Sequence, residues 1–279
     1  MRWLITQDLH QSGQKWKLLT VAAQEHRPDW VFITGDILPK SPDMFRDQER
    51  FFKPLRRYLE TMKQAGVRDV FTYFGNDDAH PLQPLLDDLD RDGLCWNMNQ
   101  RVLKRDGLVI VGMNRCRDYP FGYKHWCHPD WDFITCPQQL MRPVTITFDG
   151  HWIEIAGFEA HMREKPSLAE LLNDLVREVG DDMPRSIWLI HQPPDRLGMD
   201  ICGHGERVGS PAVREFIEKQ QPLLTMHGHI HESPMQPGGA WRATVGRTTV
   251  LQPGQIGHRL HYVLAEVNDG VIEDVKWQT

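Results

Sequence analysis

The sequence predicts an α/β fold built from βαβ units, and three observations carry that reading. Short apolar runs suited to buried strands alternate with longer stretches of helical period through the first part of the chain. No internal repeat, low-complexity tract or Gly/Ser linker divides the 279 residues, so one continuous domain over 1–279 is expected. With 40% hydrophobic and 25% charged residues the chain has the mixture needed to bury a full core, which excludes intrinsic disorder.

Taken in order, Trp3-Leu4-Ile5 reads as a first strand, a helix follows from about Lys15 to Glu25, and Trp30-Val31-Phe32-Ile33 is a short apolar run of the buried-strand kind. A second helix is expected over about Met44 to Ala65, stopped by Gly66, and Asp69 to Phe74 is the next strand. Strand, helix, strand in this rhythm implies roughly parallel pairing. Leu108 to Val111 is a further strand, and Val144–Phe148 and Trp152–Ile155 form a hairpin about Asp149-Gly150. The irregular, aromatic-rich stretch between them, about 114–143, reads as an insertion. A helix over Leu168 to Val179, a strand at Ser186–Ile190, a helix at about Pro211 to Gln220 and a strand at Leu223–Met226 follow. The tail, with Thr248–Leu251, His261–Leu264 and Val271–Val275, reads as a run of antiparallel strands.

Charge and cysteine usage exclude several classes. Thirty-two Lys and Arg against 38 Asp and Glu give a formal charge of −6, the wrong sign for coating a nucleic-acid backbone, so no stable nucleic-acid partner is expected. No apolar run reaches the roughly 18 residues of a membrane span. The opening Met1–Thr6 meets Gln7-Asp8 too soon for a secretion signal, and a soluble, cytoplasmic protein is expected. The five cysteines form no Cys-x-x-Cys pair, which speaks for reduced thiols. Cys116, Cys127, His128 and Cys136 fit no common zinc spacing.

The informative pattern is a metal-ligand type placed just beyond strand after strand: Asp8 and His10, Asp36, Asn76, His191, then His229 and His231. Carboxyl ends of strands in open α/β sheets gather on one edge, where loops can assemble distant residues into one site. Asp8/His10 and His229/His231 are each two apart and project to one side of extended backbone. Gly35, Gly75 and Gly228 precede ligands, and glycine permits tight turns and close approach. Singly, an Asp-x-His or a Gly-Asp is a chance turn and His191 a core histidine. Two imidazoles in Gly228-His229-Ile230-His231 are harder to bury without a partner.

In their order, Asp8-x-His10, Gly35-Asp36, Gly75-Asn76, His191 and Gly228-His229-x-His231 resemble the blocks of the calcineurin-like metallophosphoesterase family, with Gln252-Pro253-Gly254 near its Asn-Pro-Gly. The resemblance spans most of the chain. It implies two packed β-sheets flanked by helices, an αββα metallophosphoesterase-like sandwich. It also implies a dinuclear, metal-dependent hydrolase of phosphodiesters or phosphomonoesters, diesters favoured, acting through a metal-bound hydroxide. By resemblance, Asp8, His10, Asp36 and His231 hold one ion; Asp36, Asn76, His191 and His229 hold the other, with Asp36 bridging. Asp36, His191 and His229 thereby become catalytic residues. The donor mixture suits two divalent or trivalent ions, Mn, Fe or Zn, and the substrate is a phosphoester, nucleotide-like in one version. The oligomeric state is left open.

One departure is informative. Many family members carry Gly-Asn-His followed by an acid, the histidine assisting the leaving group; here the run is Gly75-Asn76-Asp77-Asp78. An aspartate beside two cations is a poor general acid at neutral pH. His80, His204 and His227 are the substitutes to consider, with His204 the candidate acid or substrate contact. Without a donor, an activated aryl ester should react much faster than an alkyl one. Tyr119–Trp126, Trp131 and Phe133 either stack on a substrate or pack a small core of their own, the latter preferred. The Gly-rich Arg196–Arg207 has the character of a loop beside a site, and Arg115, Arg207 and Arg214 are candidate phosphate contacts. The alternative to catalysis is an interaction module that kept the fold. A metallo-β-lactamase type of zinc hydrolase is excluded because no His-x-His-x-Asp-His block is present.

Overall fold

Alternate residues of a strand face opposite ways, and here both faces are apolar: Trp3 and Ile5 look one way and Leu4 the other, as do Trp30 and Phe32 against Val31 and Ile33. Strands of that kind must be covered on both sides. The computed structural model, which describes residues 1–11, 13–131, 137–268 and 270–279, shows how.

The chain begins with β1 (Arg2–Thr6), α1 (Gly13–His26), β2 (Trp30–Ile33), α2 (Met44–Gln64), β3 (Asp69–Thr72), α3 (Gln83–Arg91) and β4 (Trp96–Asn97), and continues into the hairpin β5 (Arg101–Arg105) and β6 (Leu108–Met113). Next come the short strands β7 (Cys116–Arg117) and β8 (Cys127–His128), the hairpin β9 (Val144–Ile146) and β10 (Trp152–Glu154), and α4 (Phe158–Arg163). Then follow α5 (Leu168–Val179), β11 (Ser186–Ile190), α6 (Pro211–Gln220), β12 (Leu224–Met226), β13 (Arg242–Val245), β14 (Thr248–Leu251), β15 (Tyr262–Asn268) and β16 (Val271–Gln278).

Two six-stranded sheets result, in the orders β16-β15-β1-β2-β3-β4 and β13-β14-β12-β11-β6-β5. In each, four strands run parallel, β1 to β4 in the first and β6, β11, β12 and β14 in the second; antiparallel strands close one edge of the first sheet and both edges of the second. Trp3, Trp30, Phe32 and Phe71 of the first sheet meet Ile110, Ile187, Leu189 and Met226 of the second in a shared core. Trp3 stacks on Trp30 at 5.5 Å between ring centroids, and Phe32 on Phe71 at 5.0 Å. The outer face of the first sheet is covered by α1, α2 and α3, and that of the second by α5 and α6. This single-domain sandwich of two sheets flanked by helices is the architecture the resemblance implied.

Local signals explain the helix ends. Ser167 accepts a hydrogen bond from the Glu170 N–H and the Glu170 carboxylate accepts one from the Ser167 N–H, a capping box that starts α5. Ala65 and Gly66 terminate α2 as expected.

Three expectations need correction. The tail is not one antiparallel run: β14 pairs parallel with β12 in the second sheet, whereas β15 crosses to pair antiparallel with β1 in the first. Its apolar residues complete two different sheets, which period alone does not distinguish. The third strand leaves its ladder at Thr72, although Tyr73 and Phe74 remain buried as the chain swings toward the site. The hairpin strands are likewise shorter, ending at Ile146 and Glu154, with Gly150 in the turn donating its N–H to Thr147.

Candidate metal centre

Five parallel strands, three from the first sheet and two from the second, end along one edge of the sandwich. Asp8 and His10 follow β1, Asp36 follows β2, Asn76 follows β3, His191 follows β11 directly, and His229 and His231 follow β12. Asp8, Asp36 and His229 sit at φ of 48°, 51° and 70°, a left-handed region that non-glycine residues enter at a cost. Such conformations persist where surrounding contacts fix them, and here they aim side chains at one point.

The seven side chains come together as two connected groups. Asp8, His10, Asp36 and His231 each offer a ligand atom, and those atoms lie within 4.8 Å of one another. Nε2 of His10 is 3.1 Å from Nε2 of His231, which in turn is 4.0 Å from Oδ1 of Asp8. In the other group Oδ1 of Asn76 is 2.8 Å from Nε2 of His191 and 2.6 Å from Nδ1 of His229. Asp36 faces both groups: its Oδ2 is 3.8 Å from Nε2 of His10 and 3.7 Å from Nε2 of His191.

That Oδ2 atom is buried without a hydrogen-bond partner among the described residues. A carboxylate oxygen left so is expensive, and its neighbours are ring nitrogens that offer lone pairs or a single proton. Oxygen and nitrogen lone pairs converging on shared space are the donor set of a cation, so these residues fit the metal ions that the resemblance implied.

Neighbouring groups hold these side chains in place. Nδ1 of His191 donates to Thr34 O at 2.8 Å, which fixes the tautomer and leaves Nε2 a lone pair. Asp8 accepts from the Gln7 amide at 2.7 Å and from the His229 N–H at 3.2 Å. Oδ1 of Asp36 accepts from the Asp77 N–H at 2.8 Å. The buried Asp78 carboxylate accepts from three backbone amides, those of Gly75, Ile37 and Leu38, at 2.8, 3.0 and 2.8 Å, and so ties the Asp36 loop to the Asn76 loop. Close approach needs glycine at two points. A Cβ on Gly75 would lie 2.3 Å from Oδ1 of Asp36, and one on Gly35, whose φ is +85°, would lie 2.6 Å from Nδ1 of His191.

Burial sets the charge states. Desolvation pulls His10 and His191 down to about 4 and His229 to about 3, so all three are neutral imidazoles at neutral pH. Desolvation, reinforced by Asp77, Asp78 and Asp8, pushes the Asp36 carboxyl well up. Without a cation, this centre resists the ionised form its carboxylates need.

Asp77, in the position of the family's histidine, is 2.8 Å from the ammonium of Lys40 and 3.9 Å from Nε2 of His10. Burial opposes its charge, but Lys40 and His10 overcome that and hold its carboxyl below the usual range. Lys40, 63% exposed at its side chain, therefore stands at the rim of the centre. Sequence reasoning missed it; the available signal was a lysine in the same strand-end loop as Asp36.

The other residues singled out from the sequence fare differently. His204 is exposed and paired with Glu206 at 3.0 Å, with no hydrogen bond to the seven side chains. His227 is buried, its ring nitrogens bonded to Ile190 O, Gln192 O and Thr225, so it is a packing residue. His80 lies against Tyr123 and stacks on His125. Arg214 pairs with Glu218 along α6, and Arg207 with the buried Asp200 inside the Gly-rich loop. In the aromatic stretch Tyr119, Tyr123 and Trp126 are buried, as part of the large core on the outer face of the first sheet rather than a small core of their own, while Phe121 and Trp131 stay exposed. Tyr119 also places its ring 5.7 Å from that of His229, and Trp126 donates to Asp78 O at 2.7 Å. Phe133 and Cys136 lie outside the described residues.

No helix among the described residues is long and apolar enough to cross a membrane. No curated protein matches the sequence. Solved structures share the fold: one aligns over 99% of this chain and 98% of its own at a TM-score of 0.61 and 15% identity. The protein TT1561 of Thermus thermophilus aligns over 99% and 97% at 0.58 and 15%. A dimetal phosphatase from Danio rerio aligns over 96% and 93% at 0.56 and 11%. The pattern of the calcineurin-like phosphoesterase family matches residues 1–233, a span that contains all seven clustered side chains. The chain belongs to the calcineurin-like phosphoesterase family.

Proposed function

We propose that the protein is a dinuclear metal-dependent phosphoesterase, favouring diesters with good leaving groups. The observation that carries this reading is the partnerless Oδ2 of Asp36, set between His10 on one side and His191 on the other. Asp8, His10, Asp36 and His231 would hold one ion; Asp36, Asn76, His191 and His229 the other. Mn, Fe and Zn suit these imidazole, carboxylate and amide donors. When bound, a pair of such ions supplies Lewis acidity toward the phosphoryl group and lowers the pKa of the attacking water.

The chain's own residues set the rest. Thr34 and Asn76 orient His191, Asp78 clamps the two ligand loops, and Lys40 presents a fixed positive charge at the rim, suited to a phosphoryl oxygen. Neither Asp77 nor Lys40 is tuned to give up a proton near neutrality: the Asp77 carboxyl lies below its usual range, and Asp77 raises Lys40 despite the opposing effect of burial. A leaving group that needs little protonation fits such a rim. The named dimetal phosphatase among the structural neighbours supports two ions.

The second reading, a non-catalytic interaction module, draws on Asp77 standing where a histidine is usual. It leaves the buried cluster of costly polar groups without a purpose. The deciding experiment is a phosphoester panel, aryl and alkyl, after reconstitution with Mn, Fe, Zn or Mg, with His229→Ala as control. Metal-dependent turnover lost in that variant supports the enzyme; activity that survives both chelation and the substitution does not belong to this centre.

A further inference from the structure

Beside β8, the β9–β10 hairpin and α4 lies a second cavity, of about 550 Å³. One wall is basic: Arg115, Lys165 and the imidazoles of His80, His125, His128 and His161, with no Asp or Glu among the described lining residues. The lining also has an apolar, open part, with Phe148 78% and Ile153 47% exposed and the Phe148 ring 5.7 Å from that of His80.

Two positive charges here, Arg115 and Lys165, form no ion pair among the described residues. Arg115 makes one hydrogen bond, to Oδ1 of Asn114 at 3.0 Å, and lies 4.8 Å over the ring of Trp126, but no carboxylate among the described residues reaches it. A guanidinium has five donors, and leaving most of them idle while desolvated is costly. Desolvation accordingly pulls Arg115 down to about 10. Lys165 donates to three backbone carbonyls, of Lys124, His125 and Cys127, all of them neutral. His80 adds a neutral donor: the Tyr123 hydroxyl accepts its backbone N–H and lies 3.0 Å from Nδ1, so the hydroxyl proton goes to Nδ1 and the ring proton stays on Nε2.

A metal is the wrong occupant. Among the described residues, no three of the four imidazoles bring ligand atoms together, and two cations beside them would repel it. A doubly charged anion matches the two unpaired cations, and the exposed Phe148 offers a surface for an apolar body attached to it. We propose that this cavity binds an organic phosphate without metal, its phosphoryl group on Arg115 and the imidazole donors, its apolar part on Phe148 and Ile153. None of the seven clustered side chains lines this cavity, and the proposal stands whether or not the proposed metal centre is catalytic.

The test uses the whole chain, freed of metal by chelation and carrying His229→Ala, titrated calorimetrically with phenyl phosphate, inorganic phosphate and phenol. Saturable binding of phenyl phosphate, weaker binding of inorganic phosphate and none of phenol is expected. Arg115→Gln should weaken both phosphates by about tenfold or more. Phe148→Ser should weaken phenyl phosphate alone, by severalfold; because Phe148 is exposed, this variant reads the site even if the arginine variant does not fold. Absence of saturable phosphate binding, equal binding of phenol, or affinities unchanged in both variants would overturn the proposal.

Discussion

Oδ2 of Asp36 stands 3.7 Å from Nε2 of His191, and no hydrogen-bond donor among the described residues reaches it. The other oxygen of the same carboxylate is satisfied by the Asp77 N–H, so the two halves of one side chain have different employments. A buried, partnerless carboxylate oxygen opposes folding unless something positive completes it. Asp36→Asn should therefore stabilise the metal-free protein, by about 1–3 kcal/mol, since an amide can donate to the facing ring nitrogens. The same variant should lose the rise in unfolding temperature that added Mn or Zn gives the native protein. Denaturation with and without metal reads both effects, and a metal-free Asp36→Asn variant less stable than native would contradict them.

Gly75→Ala places a methyl 2.3 Å from the Asp36 carboxylate and 2.7 Å from the His191 ring. Neither neighbour can move without leaving the centre. We expect a stability loss of about 1–3 kcal/mol and a fall in turnover of about a hundredfold. Metal-dependent kinetics on an aryl phosphodiester check this; native-like turnover would show that the approach of the two loops is not needed.

Neither Asp77 nor Lys40 is suited to giving up a proton at neutral pH, so leaving-group pKa should dominate rates. An aryl phosphodiester is expected to outrun its alkyl counterpart by more than about a hundredfold, and Asp77→His to narrow that ratio by raising the alkyl rate. Equal rates for the two esters in the native protein would reject this account of Asp77 and Lys40.

Acid sensitivity has an identifiable contributor away from the metal centre. Burial holds His128 down to about 3 against an ordinary 6.5, with its Nδ1 donating to Pro166 O. A depressed folded-state value means that the stability this residue supports is present above about 6.5 and is lost as pH falls toward 3. In phosphate-free buffer, denaturant midpoints measured from pH 7 to 4.5 should fall less steeply for His128→Gln than for the native chain. Parallel slopes would remove His128 from the acid response.

Much of this arrangement was legible because two periodicities coincide with chemistry. Strands buried on both faces leave continuous apolar runs, and a ligand type after each run marks the strand end, as with Ile33 before Asp36 and Ile190 before His191. Edge elements were not legible. The β5 strand, Arg101–Arg105, has only Val102 and Leu103, both half-buried, between charged residues, and β13, Arg242–Val245, is largely exposed, so neither gives a buried-strand signal. The helix Gln83–Arg91 was hidden by Pro84 and its run of aspartates. Lys40 escaped because its link to Asp77 spans 37 residues, a contact made by loops with no period. The aromatic stretch around Tyr119 to Trp126 could be read either as a stacking surface or as a small core, and only packing shows that Tyr119, Tyr123 and Trp126 are interior.

The most direct test of the central claim is anomalous diffraction from crystals grown with excess Mn. The account predicts two peaks, about 3.5–4 Å apart, both within bonding distance of the Asp36 carboxylate. A single peak, or none among these seven side chains, would contradict it.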